Sequence, residues 1–141
     1  MTLEQVKSEL ISEFELFDDW MDRYNFIIDM GKEGAGLSEE FKTKQYLISG
    51  CQSQVWLTAS YQQGSIQFKA DSDAIITKGI VQLLLRVVNG RNPQEIIDED
   101  FSFLDQIGLK EHLSPTRSNG LTSMIKQIKL YALVFKTKEN L

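Results

Sequence analysis

Apolar residues at Val6, Leu10, Phe14, Phe17, Met21, Tyr24 and Ile28 recur at steps of three and four, and Glu4, Lys7, Glu15, Asp18, Asp22 and Asp29 fall mostly off that stripe. The spacing predicts one long amphipathic helix ending near Gly31. The glycine-rich KEGAGLSEEF that follows reads as a loop until Ser38, which is placed to cap a short turn carrying Glu39 and Glu40 at its N-terminus. The period then changes to two. Val55, Leu57, Ala59 and Tyr61 alternate with Trp56, Thr58 and Ser60, and after Gln62-Gln63-Gly64-Ser65 the alternation resumes at Ile66, Phe68 and Ala70. This pattern predicts a hairpin reversing at Gly64, where positive φ costs least. With Gln45 to Ile48 as a further short strand, the expectation is a small three-stranded antiparallel sheet with one covered face. Trp56 falls opposite Val55, Leu57 and Ala59, and burial is expected of so large a ring.

Ser72 or Asp73 is positioned to cap the next helix, which runs to about Asn89 and is apolar nearly all round, at Ile75, Ile76, Ile80, Val81, Leu83, Leu84, Leu85, Val87 and Val88. Such a helix belongs at the centre of the fold, and Gly79 would let a neighbour come close. Gly90 ends it. Asn92-Pro93-Gln94-Glu95 then carries a cap, a proline at the first helical position and an acid three residues after the cap, which predicts a short helix. Phe101, Phe103, Leu104, Ile107, Leu109 and Leu113 anchor a broken helical stretch reaching Ser114-Pro115. A last helix is expected from Ser118 or Asn119, burying Leu121, Met124, Ile125, Ile128, Tyr131, Val134 and Phe135, with TKENL fraying at its end. No repeat or proline-rich linker interrupts this order, so residues 1–141 are expected to form one α+β domain, its sheet packed against helices.

Composition narrows the function. Fifteen Lys and Arg against twenty Asp and Glu give a formal charge of -5, a poor basis for holding a phosphate backbone, so no nucleic-acid partner is expected. The richest apolar run, Ile75 to Val88, is broken by Thr77, Lys78, Gln82 and Arg86, so no membrane span is expected either. The start MTLEQVKSEL lacks the features of a secretory signal, and one cysteine forms no internal disulfide; the expected compartment is a reducing cytoplasm.

That single thiol lies in Gly50-Cys51-Gln52-Ser53-Gln54, a polar, flexible collar just before the apolar alternation begins at Val55. The setting suits a loop tip better than a core position. A metal held by Cys51 would need several more ligands, and the chain has one histidine and no second cysteine, so no metal site is expected. Hydrolytic chemistry would need a base, and His112 is the only imidazole; it reads either as a helix C-terminal residue favoured by the dipole or as a group beside Cys51. Arg117 is either a solvated arginine or a guanidinium that orients a carboxylate or a partner. Asp71 and Asp73 are either caps or part of an acidic recognition surface.

Three separated segments, Gly50-Cys51-Gln52-Ser53-Gln54-Val55-Trp56-Leu57, Ala70-Asp71-Ser72-Asp73-Ala74 with Lys78-Gly79, and His112-Leu113-Ser114-Pro115-Thr116-Arg117-Ser118-Asn119-Gly120-Leu121, resemble in their order the SufE/CsdE family of sulfur-acceptor proteins. The likeness extends to Trp20-Met21-Asp22-Arg23-Tyr24 and to the turn from Gly90 to Pro93. It implies an antiparallel sheet packed on helices, similar to the NifU-like fold of U-type cluster scaffolds. It also implies a cytosolic partner of a pyridoxal-phosphate-dependent cysteine desulfurase (SufS/CsdA-like) that passes sulfur toward an iron–sulfur scaffold complex (SufBCD-like). On this resemblance Cys51 is the persulfide acceptor. Gly50, Gln52, Ser53, Asp71, Asp73, His112 and Arg117 support or dock, and the chain needs no cofactor of its own. Two other expectations stand beside it: an interaction domain whose thiol is a redox switch, and a U-type cluster scaffold, whose family is expected to carry three cysteines where this chain supplies one.

Overall fold

The computed structural model describes residues 1–139. Its first stretch is two helices and not one: α1 (Leu3–Glu15) and α2 (Trp20–Glu33). Thr2 and Gln5 form a reciprocal capping box at the start of α1. The break falls at Asp18-Asp19, because the Asp19 carboxylate accepts from Met21 N at 2.6 Å and starts a new helix. Both helices carry an apolar stripe, so the period of three and four runs through the break unaltered. The chain folds back there, with Phe26 meeting Phe14 at 5.1 Å and Phe17 at 5.3 Å between ring centroids.

The turn at Glu39–Phe41 forms without a side-chain cap from Ser38, and Lys44–Tyr46 is a second 3-10 turn, so the strand expected at Gln45 to Ile48 is absent. What remains of it is a single antiparallel bridge from Leu47 to Trp56, with Ile48 N donating to Val55 O at 2.8 Å. The chain turns away at Ser49-Gly50, where Gly50 takes φ +90, before a ladder can extend. The sheet therefore has two strands, β1 (Val55–Gln62) and β2 (Ser65–Ser72), paired antiparallel with Leu57 opposite Ala70 and Ala59 opposite Phe68. Gln63 and Gly64 both have positive φ, the geometry whose twist suits a two-residue hairpin.

Helix α3 (Ile75–Val88) is buried along most of its length, as its composition requires. It packs on α2 and on β2. Its crossing with α2 depends on two glycines: a Cβ on Gly31 would lie 2.8 Å from Gly79 N, and one on Gly79 would collide with Ile27 O. The cap expected from Ser72 or Asp73 does not form; Ala74 occupies that position with no side-chain bond. The chain leaving α3 closes the free edge of β2: the Asn89 side-chain amide receives Phe68 N at 2.6 Å and donates to Phe68 O at 3.3 Å, and Ile66 bridges to Arg91.

Helix α4 (Pro93–Asp98) carries the expected capping box between Asn92 and Glu95, and α5 (Phe103–Ile107) ends at left-handed Gly108. The final helix, α6, spans Pro115–Glu139, beginning earlier than expected. Pro115 suits a first helical position, and the Ser114 hydroxyl accepts from Arg117 N at 3.3 Å. Of the TKENL tail, Thr137 to Glu139 are helical, and the rest lies outside the described residues. Helix α6 runs along the covered face of the sheet, where Tyr131 donates to Leu57 O at 3.2 Å and Phe135 stacks on Tyr61 at 5.4 Å. No helix among the described residues is long and apolar enough to cross a membrane.

Candidate functional site

The Cys51 loop is tied down at both ends. Ile48 and Val55 close its base, and at its far end Gln54 N donates to the Asp73 carboxylate at 3.0 Å while the Ser72 hydroxyl donates to Gln54 O at 2.7 Å. Asp73 and Ser72 thus fix the loop, not the helix that follows them. Between these anchors Gly50 adopts a left-handed conformation and brings the chain against α6; a Cβ there would collide with the Ser123 hydroxyl.

Cys51 is half-buried rather than displayed at a loop tip. Its Sγ lies 3.7 Å from the Gly120 carbonyl oxygen, within reach of a weak S–H donor. Gly120 is itself buried in α6 and lies directly against the sulfur: a Cβ there would stand 3.6 Å from Sγ, in ordinary contact. Beside the sulfur is a cavity of about 70 Å³. Gln52 and Ser53 wall it from the loop, Thr77 and Ile80 from α3, and Thr116, Arg117 and Met124 from α6. Burial pushes the Cys51 thiol above its ordinary pKa, because taking the sulfur out of water penalises the thiolate. The resting thiol is sheltered, and its burial disfavours the thiolate.

The remaining candidate residues divide by position. Arg117 is exposed and reaches the cavity wall. Asp71 is buried at 6% exposure on the sheet face opposite the core, where it takes Lys42 and Lys78 at 3.3 Å each and accepts from Leu37 N and Ser72 N. Burial opposes its charge, and the two backbone donors with Lys78 outweigh that, so its carboxyl sits below the usual range. Lys42 also lies over the ring of Trp56, its nitrogen 5.7 Å from the centroid, and Trp56 pairs directly with Asp71 across the strands. Asp71 is thus neither a cap nor an exposed recognition acid, but the point that binds the loop at Leu37 to the sheet.

His112 is not among the residues lining the cavity. It sits in the 3-10 turn Lys110–His112, stacked on Trp20 at 3.9 Å, with Nδ1 2.9 Å from Gly108 O and its own carbonyl receiving the Tyr24 hydroxyl. These contacts account for it as a packing residue joining α2 to that turn. No group of three or more His, Cys, Asp or Glu suited to a metal ion occurs among the described residues. The sequence expectations pass over Thr77, Ile80, Gly120 and Met124 as site residues. A signal for Thr77 is present, since it is the one polar side chain among the buried positions of α3.

A family model described as "Fe-S metabolism associated domain", SufE, matches residues 8–132. An uncharacterized SufE-like protein of Rhizobium etli is 40% identical over 131 residues, covering 89% of this chain and 88% of that protein. A second uncharacterized SufE-like protein, of Rhizobium meliloti, is 38% identical over 126 residues, covering 86% of this chain and 90% of its own. The fold is similar to the solution structure of a hypothetical protein from Thermus thermophilus, with a TM-score of 0.77 at 16% identity over 94% of this chain and 96% of that one. With its thiol loop closed over α6 and relatives matched along most of their length, this chain belongs to the SufE family of Fe-S metabolism.

Proposed function

We propose that this chain is a cytoplasmic sulfur acceptor and carrier, a single domain that takes persulfide sulfur on Cys51 from a pyridoxal-phosphate-dependent cysteine desulfurase. It stimulates that enzyme and delivers the sulfur to an iron–sulfur cluster scaffold. It is itself not an enzyme. The observation that carries this reading is the placement of Cys51 in a tethered loop beside a cavity with spare volume next to its sulfur.

The chemistry is an exchange without net oxidation. The Cys51 sulfur attacks the outer sulfur of the donor persulfide, the donor's S–S bond breaks with its electron pair passing to the donor cysteine, and that cysteine leaves as a thiolate. The proton given up by Cys51 is taken by the departing sulfur, and Cys51 holds the transferred atom in a new S–S bond. A protonated, sheltered thiol resists stray oxidants and waits for a partner that moves the loop. Arg117, exposed at the cavity wall, is placed to meet that partner, because a planar guanidinium holds a carboxylate through two donors.

The test is intact mass after incubation with a cysteine desulfurase and free cysteine. The wild-type chain should gain one sulfur, removed by reductant, whereas Cys51→Ser should bind the desulfurase and gain none. Arg117→Ala should still accept sulfur, with weaker binding to the desulfurase by about tenfold, the range expected for losing a charge-assisted contact at a partner surface. Sulfur uptake by Cys51→Ser equal to wild type would overturn the proposal.

A further inference from the structure

The cavity beside Cys51 has an outer wall and an inner one with different chemistry. Outside is Arg117, exposed and the only charged side chain on the lining among the described residues. Inside are Ile80, Met124 and Thr77. Three polar or charged residues are buried among those described, and two of them, Asp71 and Glu99, are held by ion pairs and backbone donors. Thr77, at 7% exposure, is the third. Its hydroxyl takes part in none of the hydrogen bonds among the described residues, and it is not a sealed polar atom, a condition found there only at Arg91 Nε. Thr77 lines the cavity, so a hydroxyl that is neither bonded nor sealed is available there to a group lodged in it.

A hydroxyl that no protein group pairs, on a residue this far from the surface, is left for water or a guest in the cavity to complete. Cys51 cannot do so while it is an unmodified thiol turned to the Gly120 carbonyl. A persulfide differs in two ways. It is longer by one S–S bond, and it is a stronger acid than the parent thiol, so its outer sulfur is an anion at neutral pH and needs a donor. The Gly120 carbonyl accepts only. Resting on the carrier reading above, we propose that the Thr77 hydroxyl is the hydrogen-bond donor for the outer sulfur of the Cys51 persulfide, which lodges in the cavity between α3 and α6. The 70 Å³ present exceeds what one sulfur atom needs, since a water in the liquid takes about 30 Å³. Ile80 and Met124 form the apolar part of the wall around that hydroxyl. Thr77 is here a binding residue of the loaded state and has no part in the empty one.

The experiment loads Cys51 with inorganic polysulfide, so that it does not depend on any desulfurase. The Cys51 thiolate attacks a sulfane sulfur, an S–S bond of the polysulfide breaks, and a shortened polysulfide leaves. Wild type, Thr77→Val and Thr77→Ser are then alkylated across a pH series and read by intact mass, loaded and unloaded. Valine keeps the shape and removes the donor; serine keeps the donor. Loaded Thr77→Val should show its persulfide titration about one pH unit higher and release sulfur to reductant about tenfold faster, the size of one hydrogen bond to a charged group. Thr77→Ser should restore the wild-type profile, and any change in the alkylation of unloaded Cys51 should be much smaller than the change in the loaded protein. The proposal is overturned if loaded Thr77→Val titrates as wild type, if serine fails to restore the profile, or if valine alters the empty thiol as much as the loaded one. Failure of Cys51 to take sulfur from a desulfurase, while polysulfide loads it and Thr77→Val shifts its titration, would sink the carrier reading and leave this one standing.

Discussion

At the scale of single residues, Cys51 is governed by what surrounds its sulfur. Burial is the sole cause of its raised pKa, with no cation among the described residues acting to lower it. Thiol reactivity follows the thiolate fraction, so the free protein should be alkylated slowly at neutral pH and faster as pH rises, with an inflection above the ordinary cysteine value. Iodoacetamide kinetics followed by intact mass would check this, and unfolding in denaturant should return the inflection to the ordinary value. An inflection at or below the ordinary value in the native chain would mean that a cation reaches the sulfur. Cys51 stands out in the sequence because it is the only thiol, and its collar of Gly50, Gln52 and Ser53 marks a loop. Its shelter is not visible there, because Gly120, which lies against the sulfur, and Met124, which lines the cavity beside it, are far along the chain. Arg117 reaches the same wall, whereas His112, drawn to Trp20, does not.

The elements are legible where one local rule decides them. The alternation of Val55 to Ala70, the apolar girth of α3 and the Asn92-Pro93-Glu95 box all fold as their patterns dictate. Expectation and structure part where two local rules compete. The helical period outruns the Asp18-Asp19 cap, and Ser114-Pro115, which reads as a stop, is the start of α6. The third strand is lost to Gly50, whose left-handed turn sends the chain to α6 in place of a ladder. That glycine gives a prediction at this scale. In Gly50→Ala the new Cβ meets the Ser123 hydroxyl and the left-handed backbone costs about 1–2 kcal/mol, both of which favour an open loop. Alkylation of Cys51 should accelerate by up to about tenfold while the β1–β2 hairpin keeps its amide protection. An unchanged rate would show that Gly50 does not hold the loop closed.

Across the whole molecule, charge is placed as local clasps between elements rather than as a field. Lys7 on α1 reaches Glu99 beyond α4, Arg86 on α3 holds Glu9 and Glu13 on α1, and Asp71 on β2 holds Lys42 and Lys78. Burial works against the charge of Lys7 and of Arg86, and their carboxylate partners outweigh it, so both pKa values are raised. A raised value for Lys7 means stability present in full below the ordinary lysine pKa and lost only as pH climbs past it. Asp71 acts in the opposite direction. Its folded-state value lies below the unfolded one, so its contribution is complete above the ordinary carboxylate range and disappears as pH falls through the folded value. Stability should therefore be level from mildly acidic to mildly alkaline pH, with an acid limb in which Asp71 has a share. Asp71→Asn keeps the size of the side chain and removes its charge from between two lysines at a largely buried site, which should cost about 2 kcal/mol at neutral pH. Urea midpoints measured against pH should show the variant below wild type on the plateau and converging with it as Asp71 protonates. Parallel curves down to the acid limb would show instead that the loss comes from packing at Gly36 and Leu37, and that the carboxylate charge contributes nothing to holding that loop on the sheet.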